Sequence, residues 1–207
     1  MKPKLIKADP AGVRKVAQAI LQGGVAAFPT ETFYGLGADA WNETALQKIF
    51  QIKGREENKP LLVLIAEQEW LPGLVRNIPP VAKPLMEKFW PGPLTLIFEA
   101  SSELSGLLTA GTGTVGVRVS PHPVAQSLVR AVGRAITATS ANLSGQPGAS
   151  GAAEVLRTIG ERVDAILDGG PTVGGLGSTV VDVSGSSFRI LRQGAVSRAE
   201  LQPFFES

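Results

Sequence analysis

Three stretches of this 207-residue chain run from apolar residues straight into small hydroxyl or amide side chains, or out of them. Val25-Ala26-Ala27-Phe28 passes through Pro29 into Thr30-Glu31-Thr32-Phe33-Tyr34, closed by Gly35 and Gly37. Ala135 to Ala138 passes into Thr139-Ser140-Ala141-Asn142-Leu143-Ser144-Gly145, and Gly177-Ser178-Thr179 opens the run Val180 to Val183. Cationic residues stand at comparable places: Lys53 and Arg55 behind a helical stretch, Arg118 within Val115 to Val119, and Arg192 after Phe188 to Leu191. Hydroxyls, amides and cations that converge on a cleft form a donor set for a polyanion, and arginine can grip carboxylate or phosphate through two bonds. Strand ends are where an α/β sheet assembles such a cleft.

Other chemistries lack parts. There is no cysteine, so thiolate nucleophiles, disulfides and Cys-ligated zinc are excluded. The single histidine, His122, stands between Pro121 and Pro123 and argues against a His-based metal site or a Ser-His-Asp triad. There is no Gly-x-x-x-x-Gly-Lys-Ser/Thr, and no Gly-x-Gly-x-x-Gly follows a strand. Each candidate also has a local use. Lys53 can complement a helix dipole, Arg55 can be a solvated loop charge, and Arg118 an exposed strand residue. Ser140, Asn142 and Ser178 can form turns, Ser150 and His122 can cap helices, and Arg192 can pair with a nearby carboxylate.

The elements that would position these residues follow from apolar spacing. Lys4 to Ala8 reads as an edge strand. Asp9 and Pro10 start a helix with Val13, Val16, Ala17, Ile20 and Leu21 on one face, stopped by Gly23-Gly24. A strand at 25–28 follows, ended by Pro29, and 30–37 reads as a polar opening loop. Asn42 caps a helix that buries Leu46, Ile49 and Phe50, with Lys53 on the same face and Gly54 at its end. Leu61 to Ala66 reads as a central strand. A helix opened by Pro79-Pro80 precedes the strand Leu94 to Phe98, and 101–113 is loop-rich. After the strand carrying Arg118, Pro123 starts a helix burying Val124, Ala125, Leu128, Val129 and Val132. A short helix at 152–159, a strand at 165–167, a hairpin of 180–183 with 188–191, and a capping box from Ser197 and Glu200 complete the series. Strands alternating with helices predict one α/β domain with a mixed sheet. The net charge of +2 is too small to announce a nucleic-acid protein, and no apolar run reaches the length of a membrane span. A soluble, cytoplasmic protein is the default.

Taken in order, these segments resemble the YrdC-like family, the threonylcarbamoyl-AMP synthases. The matching pieces are Phe28 to Gly37, Lys53-Gly54-Arg55, Phe89-Trp90-Pro91-Gly92-Pro93-Leu94-Thr95, Val117-Arg118, Ser140 to Gly145, Asp168-Gly169-Gly170, Ser178 to Asp182 and Ile190 to Gly194. The resemblance implies a twisted mixed sheet with flanking helices around a large, positively charged concave cavity, over 1–207 with the motifs at about 10–196. It implies the synthesis of L-threonylcarbamoyladenylate and pyrophosphate from L-threonine, bicarbonate and ATP with Mg²⁺. A downstream transferase complex would carry the group to tRNA next to the anticodon, with tRNA contact by this chain as a further expectation. Lys53 and Arg55 would hold ATP phosphates, with Asn58 nearby. Ser140, Asn142 and Ser150 would contact the nucleotide, and Arg192 would close over it. Thr30, Arg118 and Ser178 would line the threonine side, and no metal ligand is expected among protein side chains. Two departures stand out. Leu64 occupies a place where some members carry histidine, and the proline after Arg118 is displaced by one residue. The chain also resembles the short, single-domain members. An RNA-binding module without chemistry, and a related carbamoyl-adenylating enzyme, are the rival expectations.

Overall fold

A computed structural model describes residues 4–54 and 60–204. In chain order the elements are β1 (Lys4–Lys7), α1 (Pro10–Leu21), β2 (Ala26–Pro29), β3 (Tyr34–Gly37) and α2 (Glu43–Lys53). Then come β4 (Leu62–Leu64), α3 (Ala82–Phe89), β5 (Leu94–Glu99), α4 (Gly106–Thr109), β6 (Thr114–Arg118) and α5 (Pro123–Val132). The series ends with β7 (Ile136–Thr137), β8 (Thr139–Ser140), α6 (Ala152–Ile159), β9 (Ala165–Asp168), β10 (Thr179–Asp182), β11 (Arg189–Arg192) and α7 (Arg198–Leu201).

The single sheet expected from the alternation is two. A five-stranded sheet runs β1-β9-β2-β3-β8, and a six-stranded sheet runs β11-β10-β5-β6-β4-β7; both mix parallel and antiparallel pairs. β1 is an edge strand and β4 an interior one, as the apolar patterns predict. The sheets meet at 136–140. The apolar run at 135–138 is not one strand: β7 joins the second sheet and β8 the first, and the nitrogen of Ala138 between them donates to Leu62 O at 2.8 Å.

The helix starts follow their sequence signals. Asp9 accepts from Gly12 N at 2.8 Å, and Asn42 from Ala45 N at 3.0 Å. The Ser197–Glu200 box is made in both directions. α1 and α5 pack together, with Val13, Val16, Ile20, Leu128 and Val129 closing a core against Phe28 and Leu167. Each such fully buried side chain contributes about 1.5–3 kcal/mol relative to exposure. Leu21, expected on this stripe, is instead exposed, because it follows Ile20 onto the solvent side of the last turn.

The opening segment departs most from expectation. Pro29 does not end the ladder but is the last residue of β2, opposite Tyr34. Pairing of β2 with β9 stops at Ala27, so no donor is required of Pro29 on that side. Residues 34–37 are not loop but the strand β3, antiparallel to β2. Gly37 serves packing rather than a turn, since a Cβ there would stand 2.8 Å from the Phe28 ring.

Candidate active site

One cleft of about 440 Å³ gathers seven of the sequence-predicted residues: Thr30, Lys53, Arg118, Ser140, Asn142, Ser178 and Arg192. They arrive from the β2–β3 turn, the end of α2, the end of β6, β8 with the loop behind it, and the segments flanking β10 and β11. No carboxylate lies among the described residues of the lining.

Lys53 reaches this cleft because the 3.6-residue period that buries Leu46, Ile49 and Phe50 carries it inward. It is buried, and its Nζ donates to Ser140 O at 2.7 Å, Asn142 Oδ1 at 2.8 Å and Asn142 O at 3.1 Å. Ser140 Oγ donates to the same Asn142 Oδ1 at 2.7 Å, and Asn142 Nδ2 donates to Gln146 O. Ser144 N closes the bracket on Lys53 O at 3.0 Å. The helix end and the 140–146 loop are therefore one interlocked unit. The dipole reading of Lys53 is also satisfied, since it is the cation of the last helical turn.

On another wall, Arg118 is buried and its Nη1 is paired with Glu31. Burial lowers its pKa most, the Glu31 carboxylate opposes that, and nearby Arg192 adds to it. The guanidinium keeps its proton throughout. Arg192 Nη2 donates to Ser178 O at 2.9 Å and Ser178 Oγ at 3.3 Å, and Ser178 Oγ lies 2.9 Å from Thr95 Oγ1. Thr30 Oγ1 donates to Phe33 O at 2.7 Å, which fixes the β2–β3 turn.

Three predicted residues are not in this lining as described. Arg55 and Asn58 lie outside the described residues. Ser150 is exposed, and its N and Oγ both donate to Glu154 Oε2, at 2.9 and 3.3 Å. It does not cap α6 either, because Gly151 holds that position. Sequence reasoning gave no role to Glu31, Thr32, Gln146, Gln193 or Thr95. Glu31 and Thr32 did stand in the polar stretch after Pro29, where Glu31 is the one carboxylate.

His122 is the cap that its position between prolines suggests. Its Nδ1 accepts from Val124 N at 3.2 Å, and burial lowers its pKa from 6.5. A depressed pKa means that its contribution to stability is complete above about pH 6.5 and is lost as the pH falls through the folded value. We expect His122→Ala to cost about 0.5–2 kcal/mol at pH 7.5 and His122→Asn to restore it. Melting curves down to pH 5 should show wild type losing stability faster than His122→Asn, whose cap does not titrate.

Among the described residues no group of three His, Cys, Asp or Glu is placed to hold a metal, and no helix is long and apolar enough to cross a membrane. Comparison with known proteins bears on what the cleft is. A family model for Sua5, YciO and YrdC proteins, described as "Telomere recombination", matches residues 18–194. The chain belongs to this family. The Sua5/YciO/YrdC match opens inside α1 and closes at Gly194, beside the cleft. A threonylcarbamoyl-AMP synthase of Bacillus subtilis is 42% identical over 191 residues, 92% of this chain and 55% of the relative. The chain thus spans little more than half the length of that relative. The crystal structure of Pyrococcus abyssi Sua5 complexed with L-threonine superposes with a TM-score of 0.93 at 37% identity, over 99% of this chain and 61% of the other. Escherichia coli YciO superposes at 0.87 with 26% identity, over 99% of this chain and 100% of the other.

Proposed function

We propose that this chain, as a single YrdC-like domain, makes L-threonylcarbamoyladenylate. The threonine amine and bicarbonate give a carbamate and water. A carbamate oxygen attacks the α-phosphorus of ATP in line, and pyrophosphate leaves. The observation that carries this reading is the composition of one cleft: two arginines, a buried lysine with its amide-bearing loop, and the hydroxyls of Thr30, Ser140 and Ser178 among others, with no carboxylate in the described lining. Such a cavity is positively charged and suits a polyanion together with an amino acid. The L-threonine complex of the related Sua5 supports the second substrate.

In this reading Arg118 pairs the threonine carboxylate, with Thr30 and Ser178 on that side. Ser140 and Asn142 hold the nucleotide, with Ser150 reached from the α6 side. Arg192 closes over it, and Lys53, Arg55 and Asn58 face the phosphates. There is no covalent nucleophile. Lys53, Arg55 and Arg192 offset charge as it builds on the phosphate oxygens. Magnesium enters with ATP, held by phosphate oxygens. Keeping carbamate and ATP together contributes up to roughly 7–11 kcal/mol. The adenylate would pass to a transferase complex that modifies tRNA beside the anticodon, in the cytoplasm.

The test is pyrophosphate release from MgATP and bicarbonate, with and without L-threonine, with the product weighed by mass spectrometry. Release that needs both threonine and bicarbonate, with the adenylate as product, is expected. Nucleotide binding without threonine-dependent release would point to another carbamoyl acceptor. Salt-sensitive RNA binding without nucleotide binding would replace the enzyme reading altogether.

A further inference from the structure

Glu31 lies in the four-residue turn between β2 and β3, at the lip of the five-stranded sheet. Arg118 ends β6 and Ser120 follows it, at the lip of the six-stranded sheet. One Glu31 oxygen accepts from Arg118 Nη1 and the other from Ser120 Oγ. The pair is nearly closed to solvent, with side chains 7% and 14% exposed, whereas Arg130–Glu67 stands at 55% and 43%. Among the described ion pairs only Arg134–Asp39 also links flanks of the two sheets, and there the arginine is half exposed, so Arg118–Glu31 is the buried tie between them.

Both ends of this tie are fixed independently. Thr32 N donates to Thr30 Oγ1 at 3.3 Å and Thr30 Oγ1 to Phe33 O at 2.7 Å, so the turn that aims Glu31 is held by its own hydroxyl. Ser120 O accepts from Gln126 Nε2 at 2.7 Å, and Ser120 Oγ from His122 N at 3.2 Å. Burial and the neighbouring Arg192 both disfavour the Arg118 charge, and Glu31 is the group that opposes them. A guanidinium cannot answer by losing its proton, so without Glu31 it answers by moving toward water. Glu31 engages one terminal nitrogen, which leaves other N–H groups of the fork for a second carboxylate.

We propose that Glu31 is the positioning residue that holds Arg118 for the carboxylate of the amino-acid substrate. The proposal rests on the reading of Arg118 as the carboxylate grip. Glu31 does not touch substrate; it sets where and how firmly the guanidinium presents its free edge.

Glu31→Gln keeps the side-chain size and removes the charge. We expect the KM for threonine to rise roughly 100-fold, the scale of a misplaced binding group. The KM for ATP should stay within about twofold, and kcat at saturating threonine should fall far less than kcat/KM, the pattern of lost binding. Glu31→Asp should recover part of the threonine affinity. Arg118→Gln serves as reference, and melting curves with nucleotide binding report folding. Should Glu31→Gln fail to fold, Ser120→Ala removes only the second tether and should raise the threonine KM roughly fivefold, the worth of one hydrogen bond. A folded Glu31→Gln with an unchanged threonine KM, beside a raised one in Arg118→Gln, overturns the positioning role and leaves Arg118 standing. An unchanged KM in Arg118→Gln overturns both. Equal loss of threonine and ATP binding in Glu31→Gln, without recovery in Glu31→Asp, shows general collapse of the cleft and also overturns the proposal.

Discussion

Lys53→Met should slow threonine-dependent pyrophosphate release by roughly a hundred- to a thousand-fold, the usual loss when one preorganised cation or donor is removed from developing charge. It should also lower the melting temperature, and the two effects have separate physical origins. On the proposed function, the rate should fall because the phosphates would lose a nearby charge in a cleft that excludes part of the solvent. Stability falls because three charge-assisted bonds are lost, to Ser140 O at 2.7 Å, Asn142 Oδ1 at 2.8 Å and Asn142 O at 3.1 Å, although Ser140 O keeps Asn142 N and Asn142 Oδ1 keeps Ser140 Oγ as donors. The loss should cost ~2–4 kcal/mol in all, or roughly 5–15 °C in a chain of this size. Methionine is the sharper probe than alanine, since it keeps the volume of a side chain that is 4% exposed and so adds no cavity. The checks are pyrophosphate release under saturating substrates and a thermal melt of the same preparation. A fully active, normally melting Lys53→Met protein would remove Lys53 from both roles.

The same residue shows what the sequence made legible. Its place on the buried face of α2 follows from counting seven residues from Leu46, because helical period is a local property. Its partners do not follow, because they lie 87 and 89 residues away and only the pairing of β3 with β8 brings them near. Glu31 was visible as a carboxylate but not as the partner of Arg118, across another 87 residues and between two sheets. Gly37 was misread for a related reason. A glycine in a polar-looking segment suggests a turn, and only the antiparallel register reveals the Phe28 ring that excludes a Cβ. The split at Ala138 was hidden because two-residue strands carry no period to read. Local signals did hold where the cause is local: the Asp9, Asn42, His122 and Ser197 caps all form. Ser150 is the exception, displaced from the cap of α6 by Gly151.

Gly194→Ala should damage the cleft from outside its lining, through backbone alone. A Cβ at Gly194 would overlap the Gly177 carbonyl oxygen and stand 2.6 Å from the Ser178 carbon and oxygen. No side chain can rotate aside, so the chain after β11 must lift. That chain is pinned to the start of β10 by Gly194 N and Val196 N on Thr179 Oγ1 at 2.9 and 3.1 Å, by Thr179 Oγ1 on Val196 O at 2.6 Å, and by Ala195 N on Gly177 O at 2.9 Å. Lifting it strains these bonds and pulls Arg192, two residues earlier, from Ser178. We expect a loss of about 1–3 kcal/mol or more from overpacking and a fall of roughly 100-fold in kcat/KM from the displaced guanidinium. Gly185→Ala is the control: its nearest neighbour would be Ser187 O at 3.8 Å, and its effect should stay within about 0.5 kcal/mol. The coupling can be measured. If Gly194 acts on the rate through Arg192, then Arg192→Ala combined with Gly194→Ala should be no slower than the worse single variant, because one lost contact cannot be lost twice. Additive losses would instead assign to Gly194 an effect on the cleft that bypasses Arg192, with Ser178 as the residue to examine next.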